Sequence, residues 1–510
     1  MDLDISKQGI NYNETVFNEN CEQAVDCEFM LPDYCPDIER ILKCSIGCRI
    51  NRSDAAGSTV TVDGTAFIKI LYADAKNGSV RGYEMPVSFT KVVDIKCNPD
   101  RSFARVTAKT DYVNCRAVNE RKLDVHGAVS LRVKVTAVKE VQMCCNADGG
   151  ELFAKKTPVS IISTAGVAEK QVVISEEIEL GQSNGDILHI IRSGANAIFE
   201  ECKIVANKAI IKGRIALFLL YHSGEERYEK FEYELPLNQI VEVNGLTDDT
   251  RADVKMTVID HEIKPRNDMS SDSRNVTANI KLSVMVIANQ AETHDIITDV
   301  YSTYCEIKCE REKMPFFASV HNIFEKCAVK ETLELPDEGA EEIIDFWCTP
   351  INTSSKCENG ELSADGECMC HLLYKNADGG CMYHEKTVNF SHTANPDIQQ
   401  GFCECDIFAD ISDCGYTMAG GNKLDVYCNM SLSGTITVGN RHNVINSIEA
   451  DETRLKKRDM AALTVYYADK GESVWNIAMR YNTSADMIMN ANNLEEDVLT
   501  GRTVLLVPAV

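Results

Sequence analysis

The chain has no run of about eighteen apolar residues, the length that a membrane-crossing helix needs. Its N-terminus, MDLDISKQGINYNETVFNEN, shows neither a basic leader nor an apolar core. That is not the pattern of a secretory signal, so the chain is expected to stay in the cytosol. Positive charge is scarce: 52 Lys and Arg stand against 78 Asp and Glu, net -26. Such a field repels phosphate backbones and argues against a nucleic-acid partner. Among the 22 cysteines no C-x-x-C pair occurs, and none has a histidine at zinc-finger spacing. In a reducing compartment they read as buried thiols used as small hydrophobes, with no metal and no cofactor expected.

Catalytic signatures are missing too. There is no P-loop and no H-E-x-x-H. Asp413-Cys414-Gly415 has the look of a peptidase nucleophile, but a reactive thiolate needs a base. His442, within NRHNVINS, is the single histidine downstream of it, and Cys414 sits in a β-type pattern. The chain is expected not to be an enzyme.

What the sequence does contain is a repeat. LPDYCPDIERIL from Leu31 returns as LGQSNGDILHII from Leu180 and as LPDEGAEEIIDFW from Leu335. A glycine then precedes a tyrosine by eight residues each time: Gly64 and Tyr72, Gly213 and Tyr221, Gly366 and Tyr374. KLDVHGAVSLRV from Lys122 closes the unit, with KLDVYCNMSLSG from Lys423 and a divergent RNVTANIKLSV from Arg274. Three ordered marks at matched spacing mean three copies of one domain.

In the opening segment Pro36 suits a first helical position, and Asp37 and Glu39 suit the positive end of a helix dipole. Ile38, Ile41 and Leu42 fall at i, i+3, i+4, as do Ile187, Ile190 and Ile191, and Ile343, Phe346 and Trp347. Each copy is therefore expected to open with a short docking helix. Tyr34 and Cys35 do not recur, so Cys35 is not expected to be catalytic. The rest of each copy alternates apolar and polar residues between turns such as Asn77-Gly78, the mark of antiparallel strands.

The expected fold is mainly β: three tandem sandwich-like or barrel-like repeats, each with a short helix, strung along the chain before a small βααβ domain. The expected limits are 1–145, 146–310 and 311–445 for the repeats, 446–458 for a basic linker containing RLKKR, and 459–510 for the last domain.

That last domain reads strand, helix, helix, strand. Ser473 can cap a helix carrying Val474, Ile477, Ala478 and Tyr481, and Ser484 a second carrying Ile488. KGESVWNIAMRY, NANNL and Gly501…Val507-Pro508 resemble the turn, Asn-Asn and Gly-x-x-hydrophobic-Pro marks of LysM domains. The resemblance implies a groove for N-acetylglucosamine polymers, with Gly471, Glu472, Ser473 and Val474 facing Asn492, Asn493 and Leu494. Trp475 lies one step from the buried stripe, and Leu463 extends its apolar patch. The two suggest a protein-binding surface instead.

The repeat marks resemble the SPOCS (DUF3794) domain of spore-forming Firmicutes. Three of them before one LysM resemble the SipL-like family of clostridial spore-coat morphogenetic proteins. The resemblance implies a scaffold at the forespore surface of the mother cell, with LysM joining the basal-layer coat ATPase, stage IV sporulation protein A, to other coat proteins. A peptidoglycan-binding anchor of the spore envelope is the alternative.

Overall fold

A computed structural model describes residues 3–96, 101–149, 151–181, 184–223, 227–247, 250–266, 274–336, 339–420, 422–456 and 462–509. The first repeat is six strands: β1 (Asp4–Met30), β2 (Ile38–Ala56), β3 (Thr59–Asp74), β4 (Val80–Asp94), β5 (Ser102–Ala117) and β6 (Lys122–Asp148). They form two antiparallel sheets, β1-β6-β5 and β2-β3-β4, with one core between them. The second repeat copies this plan with β7 (Leu152–Glu179), β8 (Ile187–Val205), β9 (Lys208–Ser223), β10 (Tyr228–Glu242), β11 (Arg251–Pro265) and β12 (Asn275–Ser302). The third uses β13 (Cys305–Glu334), β14 (Glu342–Glu358), β15 (Glu361–Lys375), β16 (Cys381–Ala394), β17 (Phe402–Gly420) and β18 (Lys423–Leu455).

The helix expected at the head of each repeat does not form; Ile38, Ile187 and Glu342 open strands instead. The apolar spacing is real, but β-bulges create it. In β2 the pairing with β3 skips Glu39 and Leu42; in β8 it skips Leu188 and Ile191; in β14 it skips Ile344. An extra residue shifts which side chains face inward, so a strand can imitate a period near three. Ile41, Ile190 and Ile343 pack against their own sandwich core. The bulged Leu42, Ile191 and Ile344 turn the other way, into a cluster shared by all three repeats.

The central strands β3, β9 and β15 are buried on both faces, which accounts for their dense apolar runs. Val62, Ala66, Ile68, Ile70 and Tyr72 fill the first sandwich. On the opposite face, Leu71, Leu220 and Leu373 join the shared cluster. Gly64 and Gly213 sit opposite a further bulge in β2 and β8, and Gly366 lies one ladder position from the matching bulge in β14. A Cβ on Gly213 would lie 2.4 Å from the Ile198 carbonyl oxygen, and one on Gly366 2.1 Å from that of Asn352. At Gly213 and Gly366 the missing Cβ therefore makes room for the irregular neighbouring backbone, and at Gly64 for the Phe89 ring.

The repeats are not strung out; they close into a ring. The outer halves of the long strand pairs β1/β6, β7/β12 and β13/β18 leave their sandwiches at matching bulges, Val16, Ala165 and Ala318. They meet in one apolar cluster with Ile10, Tyr12 and Met143 from the first repeat, Ile161 and Ile296 from the second, and Phe316 and Val444 from the third. Polar contacts fasten each seam. Arg105 pairs with Asp253 between the first and second repeats; Arg192 and Lys230 pair with Asp345 between the second and third. Lys134 reaches Asp406 at 2.7 Å between the first and third. Short connections in sequence do not prevent the third repeat from returning to the first.

Strand ends lie near the limits read from the sequence at 145, 310 and 445: β6 ends at Asp148, β12 at Ser302 and β18 at Leu455. Most of the expected linker, through Leu455, is strand paired with β13. Lys457 and Arg458 of the basic run lie outside the described residues. Beyond it come β19 (Leu463–Ala468), α1 (Val474–Tyr481), α2 (Ala485–Asn492) and β20 (Thr503–Pro508), the expected βααβ order.

Candidate functional site

In the C-terminal domain the amphipathic patterns behave as read. Val474, Ile477, Ala478 and Ile488 are buried against Leu505 and Val507 of β20. Ser473 and Ser484 occupy the N-cap positions, but neither hydroxyl caps its helix. Ser473 Oγ donates to Asp497 Oδ2 at 2.9 Å, and it is Asp497 that accepts from the Trp475 amide at 2.8 Å. The carboxylate thus caps α1 from the far loop, a charge the helix N-terminus favours. Burial of Asp497 is more than offset by Lys155, the Trp475 amide and Ser473, which hold its carboxyl below the usual range.

The proposed groove residues separate into two groups. Gly471 at φ +89° turns the first loop, and its N–H donates to the Leu499 carbonyl at 2.8 Å. The Leu499 amide returns a bond to the Glu472 carbonyl, and the Val474 amide bonds the Asp497 carbonyl. The loop 471–474 is therefore stitched to 497–499. Glu472 points back, accepting from the Asp469 amide and the Tyr466 hydroxyl, each at 2.9 Å. Asn492 is a brace: its amide takes the N–H and C=O of Leu506, at 2.8 and 2.7 Å, and donates to the Ile488 carbonyl. Asn493, in the left-handed conformation, ends α2, and Leu494 packs on the domain core.

Trp475 is not a free surface anchor. It is 9% exposed, its Nε1 donates to Asp299 of β12 at 2.9 Å, and Tyr301 meets the ring edge-on at 4.8 Å. The Tyr301 hydroxyl donates to the Thr483 carbonyl at 2.7 Å, and Lys155 of β7 pairs with Asp497 at 2.7 Å. The position of Trp475 beside the helical stripe could not show that another domain covers it. Leu463, in contrast, is 51% exposed. It lies on the outer sheet face with Val465, Tyr467, Val504 and Leu506, all exposed, Tyr467 most of all at 78%. The alternation of β19 and β20 carried that signal, since odd positions of one strand face even positions of the other.

Two features lie outside the terminal domain. Where the repeats meet there is a cavity of about 2010 Å³, walled by Lys69, Arg192, Trp347, Asp345 and Asp410 among others. Over it the Arg192 guanidinium stacks on Trp347 at 3.6 Å from the ring centre. Among the described residues, the buried thiols of Cys348, Cys368 and Cys428 form a group that could hold a metal. Cys414 is close to Cys348, whose hydrogen bond lowers its pKa against the opposing effect of burial. His442 stands away from it, stacked on Phe316 at 6.3 Å. No helix among the described residues is long and apolar enough to cross a membrane.

Three copies of a two-sheet repeat followed by a small βααβ module define a modular β-repeat protein with a terminal binding domain. The SipL, SPOCS domain family matches residues 37–118, 186–265 and 339–419, and the LysM domain family matches 466–508. The chain is a SipL-like protein: three SPOCS domains and a C-terminal LysM domain. That domain set belongs to a sporulation-related scaffold with a LysM binding module. No curated protein and no solved structure matches it. The SPOCS matches span β2–β5, β8–β11 and β14–β17 and leave out the long ring-forming strands.

Proposed function

We propose that the chain is a non-enzymatic scaffold of endospore formation, acting in the mother cell at the forespore surface. Its LysM domain joins the basal-layer coat ATPase, stage IV sporulation protein A, to the other coat proteins. The observation that carries this reading is the open apolar face of Leu463, Val465, Tyr467, Val504 and Leu506. A row of exposed apolar and aromatic side chains on a two-stranded sheet is the kind of surface a protein partner covers. Trp475, by contrast, fastens the LysM domain to the second repeat and orients that face outward. The ring supplies a rigid body from which the module projects.

The test is capture of the purified coat ATPase by the full chain, comparing wild type with Val465→Glu/Tyr467→Glu. Strong binding lost in the double variant, with unfolding unchanged, supports the scaffold. Binding that survives the double variant rules out this face. The peptidoglycan-anchor reading predicts instead that chitin oligomers bind at the loops 471–474 and 497–499, and that the ATPase does not bind at all.

A further inference from the structure

We propose that the core of the third repeat is a binding site for a tetrahedral, thiophilic cation of the zinc class. Its ligands are Cys348, Cys368 and Cys428, with Cys370 or Cys414 as the fourth. The three Sγ atoms lie within 4.8 Å of one another, and all three residues are buried. Cys348 and Cys370 are 3.7 Å apart, sulfur to sulfur, and Cys368 and Cys428 3.8 Å. Four thiolates at about 2.3 Å from one zinc stand about 3.8 Å from each other, the edge of the tetrahedron. The Cys348–Cys370 and Cys368–Cys428 spacings match that edge, and the three clustered thiols stand within reach of a single ion.

The five cysteines come from four strands in two facing sheets. Cys348 of β14 pairs with Cys370 of β15, two residues beyond Cys368; Cys414 of β17 pairs with Cys428 of β18. Internal comparison sharpens the point. Counting from the recurrent glycine and across the ladder, the first repeat has Ala66, Ile68 and Ile46 where the third has Cys368, Cys370 and Cys348. The second has Ile215, Leu217 and Ala195. In the other sheet the Val113–Gly127 pair of the first repeat becomes Cys414–Cys428. A single cysteine in place of an alanine or isoleucine is ordinary core filling. Replacement at all five positions of one layer, drawn from both sheets, gathers sulfur at one point.

The sequence expectation of no metal rested on C-x-x-C spacing. Here the ligands are brought together by pairing between strands, so no short motif records them. Binding removes a proton from each ligating thiol to solvent and leaves three or four thiolates around the divalent ion. Nothing is oxidised or reduced. The site is structural in kind, because the cysteines are enclosed between the two sheets.

The test begins with the full chain purified without chelator and assayed for metal. About one zinc per chain is expected. Co2+ added to the stripped chain should give intense thiolate charge-transfer absorption and tetrahedral d–d bands. A variant carrying the residues of the first repeat, Cys348→Ile, Cys368→Ala, Cys370→Ile, Cys414→Val and Cys428→Gly, should keep its β circular dichroism and lose both signals. Cys48→Ser, in the first repeat, should change neither. If the five-residue variant fails to fold, the Co2+ titration of wild type still decides. No Co2+ thiolate absorption, or a disulfide between Cys348 and Cys370 in chain kept under reducing conditions, would overturn the site.

Discussion

The indole N–H of Trp475 donates to Asp299 Oδ2 at 2.9 Å, tying the LysM domain to the last strand of the second repeat. Asp299 also accepts from Arg311 at 2.6 Å, so the bond ends on a carboxylate already held in place by the third repeat. Trp475→Ala removes this bond and the edge-on contact with Tyr301, at a cost of about 3 kcal/mol. Calorimetry of the full chain should then show the LysM domain unfolding in a separate, earlier transition. Trp475→Phe, which loses the N–H and keeps the ring, should cost about 1 kcal/mol. An unmoved single transition in Trp475→Ala would mean the docking contributes nothing.

Asp345, 4% exposed, is held between Arg192 and Lys230 on the seam of the second and third repeats. Deleting one partner of a buried ion group strands the others. Asp345→Ala should cost roughly 3–5 kcal/mol in urea unfolding. Scattering should show the two repeats parting before either sandwich melts; a midpoint within error of wild type would contradict the seam.

Glycines of the same chain should differ sharply. Gly366→Ala places a Cβ against the Asn352 carbonyl and the Phe390 ring, and is expected to cost about 1–3 kcal/mol. Gly47→Ala meets only the end of the Lys69 side chain, at 3.7 Å, and should stay within about 0.5 kcal/mol of wild type. Thermal melts of the two variants side by side make the comparison, and equal shifts would refute it.

Three histidines lie between repeats, His261 and His371 buried and His189 partly so. Burial lowers the pKa of His189 to about 4 and those of His261 and His371 to about 3. Neighbouring cations add to this for His261, beside Arg49 and Lys69, and for His371, beside Lys43. The unfolded chain takes up these protons near pH 6.5, whereas the folded chain takes them up only near 3 to 4. Between those values the unfolded state binds more protons, so stability falls as pH drops through that window. Melting temperature should decline from pH 7 to 4.5, and less steeply in His189→Gln/His261→Gln. An identical slope would assign the acid loss to other groups.

Much of the architecture could be read from the residues because it is periodic. The Gly-to-Tyr offset of eight marks one position in the middle strand of each second sheet, and the Lys122 and Lys423 runs mark the start of β6 and β18. The LysM order followed from two short amphipathic stretches, each preceded by a serine at the N-cap position. The opening segment misled because Leu42 and Ile191, which fall in the apparent helical stripe, serve a second core, and a bulge places them there. From sequence, that spacing cannot be told from a helical stripe.

By itself the sequence determined three β repeats and a terminal βααβ module, since alternation, turns and internal spacing are local and repeat. Tertiary structure alone decided that the repeats close into a ring, that Trp475 faces Asp299 rather than solvent, and that cysteines 348, 368 and 428 converge. Each of these depends on which surfaces meet across separations of 20 residues for Cys348 and Cys368, 176 for Trp475 and Asp299, and 272 for Lys134 and Asp406. No local pattern encodes such a meeting; it follows from the apolar faces left uncovered once every strand has paired.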